Sequence, residues 1–297
     1  MNLRDLHYLT MVAKTGHFTE AAERCFVSQP TLSAQIKKLE DELGIPLFER
    51  DNKHVRITKA GAEIVKLANE ILDKKKDIED LAKAHQNPYA GSFILGAFPT
   101  LAPFLFPRLA PDLTQTYPEM KLFLLEDKSP NLIEKCEKGD IDLALLADPV
   151  MSDKLTSAPI FKEAFTVAVS HQHPMAKKKS VSIDDLRSEN LLLLEEGHCL
   201  ADQALDVCTW VPKDENTSFR ATSIETLRQM VAINMGVTLM PAGAIDKNLS
   251  DPHIAYIPIK PHTPYRHISL YWRKTSPYDA VFKEMASKMS EIYQDNI

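Results

Sequence analysis

"FTEAAERCFVSQPTLSAQIKKLEDELGIPLFER", Phe18 to Arg50, decides how the front of this chain folds. Ser28 is a good N-cap, because its side-chain oxygen can accept from first-turn amides, and Pro30 falls where a missing N–H costs nothing. Leu32, Ile36, Leu39 and Leu43 then recur at helical spacing, and Gly44 closes the run. Ahead of this helix, "FTEAAERCF" reads as a short one packing Phe18, Ala21, Ala22 and Cys25. Before that, "LRDLHYLTMVAKTG" reads as another, with Leu3, Leu6, Leu9 and Val12 in register and Gly16 at its end. Behind it, "LFERDNKHVRIT", Leu47 to Thr58, fits two short strands around an Asp51-Asn52-Lys53 turn. Three short helices and a basic hairpin make a winged helix-turn-helix.

In that arrangement the third helix enters a DNA major groove. Ser28, Gln29, Pro30, Thr31, Ser33 and Gln35 form its leading face: Gln can bond adenine in a bidentate manner, and hydroxyls meet phosphates or base edges. The helix N-terminus adds a phosphate site. Lys53 and Arg56 on the hairpin, with His54, Lys37 and Lys38, supply backbone-holding cations. The pattern alone also suits a structural three-helix module. Residues 1 to 66 carry ten Lys/Arg against nine Asp/Glu in a chain of net charge -6, so clustering, not total charge, has to provide the DNA footprint.

Further along, Thr58 caps a long helix to about His85. Its Ile64, Ile71 and Ile78 repeat every seven residues, and "QNPYAGS" then breaks the pattern. From Phe93 onward, the apolar runs "SFILGAF", "KLFLLED", "DLALLA", "FTVAVS", "NLLLLEE" and "GVTLMPA" alternate with helical segments, which predicts α/β units around mostly parallel sheets. The expected division is a DNA-binding domain over 1–58, a linker helix over 59–87 and a regulatory domain over 88–297. A hydrophobic fraction of 44%, a charged fraction of 26% and the lack of a long apolar run predict a cytoplasmic protein with no membrane association.

Four cysteines in 297 residues are too few for a disulfide scaffold. Cys25 and Cys136 fall on apolar helical faces, as core thiols do. Cys199 and Cys208 bracket "CLADQALDVC", beside His198. In one regular helix they would stand roughly 13.5 Å apart along the axis, on nearly opposite faces. A disulfide needs Cα atoms within about 7 Å, so joining them requires the segment to refold, as a covalent switch does. An isolated pair at this spacing is more often structural. Zinc binding by His198, Cys199 and Cys208 lacks a fourth clustered ligand, and no metal or cofactor is expected.

The Phe18–Arg50 stretch resembles the helix-turn-helix of LysR-type transcriptional regulators, most densely in "SQPTLSAQIKKLEDELG" and "LFER". The resemblance implies an α + α/β architecture: a winged helix-turn-helix, a linker helix that pairs protomers, and a periplasmic-binding-protein-like effector domain of two Rossmann-like subdomains. It also implies homodimers assembling into a tetramer, operator double-stranded DNA, and contact with RNA polymerase. "EEGHCLADQALDVC" followed by "FRATSIETLRQMVA" is similar to the hydrogen-peroxide-sensing members of that family. This similarity implies that Cys199 is the peroxidatic thiol and Cys208 the resolving one, with His198, Thr100 and Ser129 shaping the peroxide pocket and a thiol reductant resetting the switch. Ser129 stands where that group has Thr, and Ser218 where it has His. Glu195 and Glu196 oppose a low thiol pKa if they point inward, so a cation is needed, and Arg220 is the candidate. Without the resemblance, Thr100 and Ser129 follow strands and suit helix caps equally well.

Two rival functions remain from sequence: a regulator whose effector is a small metabolite bound between the subdomains, and a thiol peroxidase that turns over. The DNA-binding front of the chain argues against an enzyme.

Overall fold

In the computed structural model, which describes residues 1–50, 55–195, 220–245 and 252–295, the chain divides into two units, Met1–Lys83 and Ala84–Ile297. The first unit is built by its caps. Helix α1 (Leu3–Thr15) starts on a capping box: Asn2 accepts from the amides of Arg4 and Asp5, and Asp5 accepts in return from the Asn2 amide. Gly16 ends it at φ 69°, in the left-handed region where glycine bears no Cβ penalty. Helix α2 (Phe18–Arg24) leads through a turn, with Phe26 at φ 55°, into α3 (Gln29–Leu43). Ser28 caps α3 through the Thr31 amide and Gly44 closes it at φ 73°, as the sequence predicts. Leu32, Ile36 and Leu39 are buried in a core with Leu6, Leu9, Val12, Phe18 and Ala21, whereas Leu43 at the stripe's end is exposed.

Strands β1 (Phe48–Arg50) and β2 (Val55–Ile57) pair antiparallel, and Glu40 of α3 accepts from the amides of Leu47 and Phe48 at 2.8 and 3.1 Å. One carboxylate therefore fixes the wing to the third helix. The tip, including Lys53 and His54, lies outside the described residues. Thr58 accepts from the Gly61 amide and starts the 28-residue helix α4 (Lys59–Gln86). Ile64 packs on the first unit's core; Leu67, Ile71, Ile78 and Leu81 are exposed.

Among the described residues of the second unit, seven strands share one sheet: β3 (Gly91–Ala97), β4 (Met120–Glu126), β5 (Leu143–Ala147), β6 (Leu155–Ser170), β9 (Thr238–Pro241), β10 (Ile254–Pro258) and β11 (Tyr265–Arg273). Their order is β10-β6-β11-β5-β3-β4, with β9 also on β6. A short parallel pair, β7 (Leu193–Leu194) and β8 (Arg220–Ala221), stands apart. The helices are α5 (Ala102–Thr116), α6 (Ser129–Lys138), α7 (Ile224–Ala232) and α8 (Asp279–Asp295).

The prediction of mostly parallel sheets needs correction. β3 runs parallel to β4 and β5, but β11 is antiparallel to β5 and β6, as β9 and β10 are to β6. Part of the difference comes from strands whose polar residues interrupt the apolar runs, notably β11 and the first half of β6; the apolar runs of β9 and the second half of β6 also pair antiparallel. Over Leu155–Ala164, β6 pairs with β11 beside a core of Phe93, Leu95, Ile160, Leu270, Trp272 and Phe282, here called lobe A. Over Phe165–Ser170 it pairs with β9 and β10 in a second core of Val167, Leu193, Leu227, Leu239 and Ile257, lobe B. A single strand thus serves both lobes.

Candidate functional site

On the first unit, Ser28, Gln29, Pro30 and Thr31 are exposed at the start of α3, and Ser33 and Gln35 are half-buried one turn on. The hydroxyls of Ser28 and Thr31 lie 2.7 Å apart, and Gln29 donates to Ser33 at 3.0 Å. These are local bonds that a nucleic acid can exchange for its own. Arg56 is exposed on β2, and Lys37 and Lys38 are exposed on α3. The leading turn thus presents hydroxyls and a side-chain amide, with cations on the same unit. Such a set can meet both base edges and phosphates.

On the second unit, the residues around Thr100 are polar but buried. Thr100 is 1% exposed and lies ahead of α5, whose N-cap is Leu101; no side chain caps that helix. The Thr100 hydroxyl instead accepts from Arg266 Nη1 at 3.0 Å, and its carbonyl from Nη2 at 3.1 Å. A hydroxyl accepting this way keeps its own proton to donate. Ser129 opens α6 without capping it, since the N-cap is Lys128. The Ser129 hydroxyl is buried with no hydrogen-bond partner among the described residues. The capping alternative therefore fails for both residues. A buried hydroxyl without a partner has lost hydration and gained nothing in return, the condition under which a bound oxygen is favoured.

Sequence reasoning missed Arg266. It lies on β11 opposite Glu163 of β6, with side chains 0% and 1% exposed, and Nε donates to Glu163 Oε2 at 2.5 Å. Its guanidinium also stands 5.1 Å from the Phe98 ring centroid. The available signal was a pair of charges of opposite sign, Glu163 just ahead of the apolar run Phe165–Val169 and Arg266 just ahead of Ile268–Trp272. Arg220, the cation expected from sequence, is half-buried on β8, next to Leu193, and makes no hydrogen bond to Thr100. Glu195 ends the β7 segment and forms an ion pair with Lys128 at 2.5 Å.

A cavity of about 10 Å³, room for about one water, lies beside Thr100 and is lined also by Phe104, Arg108, Glu163 and Tyr293. His198, Cys199 and Cys208 lie outside the described residues. Of the other two thiols, Cys136 is buried and pushed up to about 12 by desolvation, and burial also raises Cys25, so both stay protonated and poorly nucleophilic near neutrality. Among the described residues no cluster of His, Cys, Asp and Glu could hold a metal ion, and no helix is long and apolar enough to cross a membrane.

Comparison with known proteins supplies the context. Residues 3–62 match the model of the bacterial regulatory helix-turn-helix proteins of the lysR family, and residues 86–290 that of the LysR substrate binding domain. A hydrogen peroxide-inducible genes activator of Pectobacterium carotovorum subsp. carotovorum is 40% identical over 294 residues, covering 99% of this chain and 97% of its own length. The structure of a full-length OxyR variant from Pseudomonas aeruginosa superimposes with a TM-score of 0.75 at 36% identity, covering 97% of this chain and 94% of that one. An H2O2-bound mutant of Corynebacterium glutamicum OxyR gives 0.67 at 30% identity, with 99% and 93% covered.

Proposed function

The chain belongs to the LysR family of bacterial helix-turn-helix regulators, and from that premise we propose that it is a transcriptional regulator switched by hydrogen peroxide through Cys199 and Cys208. Residues 1–58 read operator double-stranded DNA, 59–87 pair protomers through the exposed stripe of α4, and 88–297 sense the signal. The observation that carries the sensing role is the buried Thr100 hydroxyl, backed by the Arg266 guanidinium and with its proton free to donate. Ser129 adds a second donor of the same kind.

In this reading Arg266 and Arg220 favour the thiolate of Cys199, since positive potential stabilises the charged form. The thiolate attacks one peroxide oxygen and the O–O bond breaks. The departing hydroxide takes up a proton to leave as water, and sulfur is oxidised to sulfenic acid. Thr100, Ser129 and His198 orient the peroxide. The Cys208 thiol then attacks that sulfur, releasing a second water and forming the disulfide. Disulfide formation in turn changes how dimers pack into a tetramer and meet RNA polymerase. A cellular thiol reductant returns both cysteines to thiols.

Mass spectrometry after brief, low-dose peroxide treatment should find a Cys199–Cys208 disulfide; two thiols that stay alkylatable would sink the switch. A Cys199→Ser protein that still answers its inducer would instead favour a bound metabolite, and peroxide consumption far above one equivalent per chain with a physiological reductant would favour an enzyme. DNA reading is tested separately. Gln29→Ala or Thr31→Ala should remove about 1–3 kcal/mol of discrimination between operator and random DNA. Arg56→Ala should weaken binding to both and lower the salt slope by about 1. Equal losses in binding assays of all three would mean that the reading face is misassigned.

A further inference from the structure

β6 and β11 leave lobe A at one step of their ladder, where Glu163 faces Arg266. The two carboxylate oxygens of Glu163 are divided between different elements. Oε2 accepts from Arg266 Nε at 2.5 Å, and Oε1 accepts at 2.7 Å from the backbone N–H of Gly243, in the 3-10 turn Ala242–Ala244 that follows β9. A Cβ added to Gly243 would lie 2.5 Å from Oε1, so only glycine lets this turn approach. Arg266 spends its remaining reach on Thr100. The chain of contacts therefore runs from lobe B through Gly243 and Glu163 to Arg266, and ends at the Thr100 hydroxyl.

We infer that Glu163 and Gly243 are positioning residues for peroxide sensing: the Gly243 amide fixes the Glu163 carboxylate, which holds the Arg266 guanidinium against Thr100 and cancels part of its charge. This rests on the peroxide reading above and adds two roles to it, one of charge and one of place. Glu163→Gln keeps the size and one acceptor but removes the negative charge, so more positive potential reaches Thr100 and a nearby thiolate becomes easier to form. Gly243→Ala leaves every charge intact but forces the carboxylate, and with it the guanidinium, to move. The other titratable groups lining the same cavity are Arg108 of α5 and Tyr293 of α8. Burial pushes the Tyr293 phenol up to about 12, so it stays neutral through the range of the test, and a guanidinium does not titrate there.

The test uses full-length, reduced protein and hydrogen peroxide, with the rates of Cys199 alkylation and oxidation followed by mass spectrometry between pH 4.5 and 8.5. Glu163→Gln should lower the midpoint of the Cys199 pH profile by about one unit, a roughly tenfold faster reaction well below the midpoint. Gly243→Ala should instead lower the plateau oxidation rate, reached where the thiol is fully ionised, severalfold. Glu163→Asp in the Gly243→Ala background, retracting the carboxylate by one methylene, should recover part of that loss. Should Glu163→Gln not fold, as judged by thermal melting, Gly243→Ala and its rescue decide the matter. Folded variants with the wild-type midpoint and plateau overturn the positioning role alone. A wild-type Cys199 that peroxide leaves unoxidised overturns the peroxide reading itself.

Discussion

Arg266→Met should cost the second unit about 3–5 kcal/mol, read as a lower denaturant midpoint, because it leaves the Glu163 carboxylate buried without its cation. A double replacement, Arg266→Met with Glu163→Met, should recover most of the stability, since a buried ion pair exchanged for apolar side chains of similar volume is often neutral. The peroxide response should stay lost in the double variant. If stability and response return together, Arg266 acts only as a strut.

The second large effect is expected on the other unit. Leu32 is fully buried on α3 and adjoins Thr31, one of the residues assigned to base reading. Leu32→Ala should destabilise the DNA-binding unit by ~2–5 kcal/mol, through lost apolar transfer and the cavity left behind. A small unit has little stability to spare, so operator affinity should fall with the folded fraction and recover on cooling toward the stability maximum. Gln29→Ala should lose discrimination with an unchanged melting curve. Calorimetry beside operator titrations separates these cases, and a Leu32→Ala protein with wild-type melting would show that α3 is held by something other than this core.

How far each part was legible in the sequence follows from how local its cause is. Ser28, Pro30 and Gly44 act within one turn of their own positions, so α3 and its ends could be read directly. Leu43 could not, because burial depends on what lies opposite the last turn. β11 and the first half of β6 escaped because Lys162, Glu163, Arg266 and His267 interrupt their apolar runs, and the antiparallel ladders they form were missed with them. Glu163 and Arg266 are 103 positions apart. No window of sequence joins them, and Arg220 drew attention through nearness to the cysteine motif. Thr100 and Ser129 were reached only through family resemblance; local chemistry made them caps, and the structure shows that they cap nothing.

The passage of β6 through both lobes has a consequence for engineering. A cut between Ala164 and Phe165 would separate the ladder with β11 from those with β9 and β10, leaving raw edges on both pieces. Neither half is therefore a transplantable module. A designer who wishes to lend this sensitivity to another regulator has to graft everything from Ala84 onward as a single part.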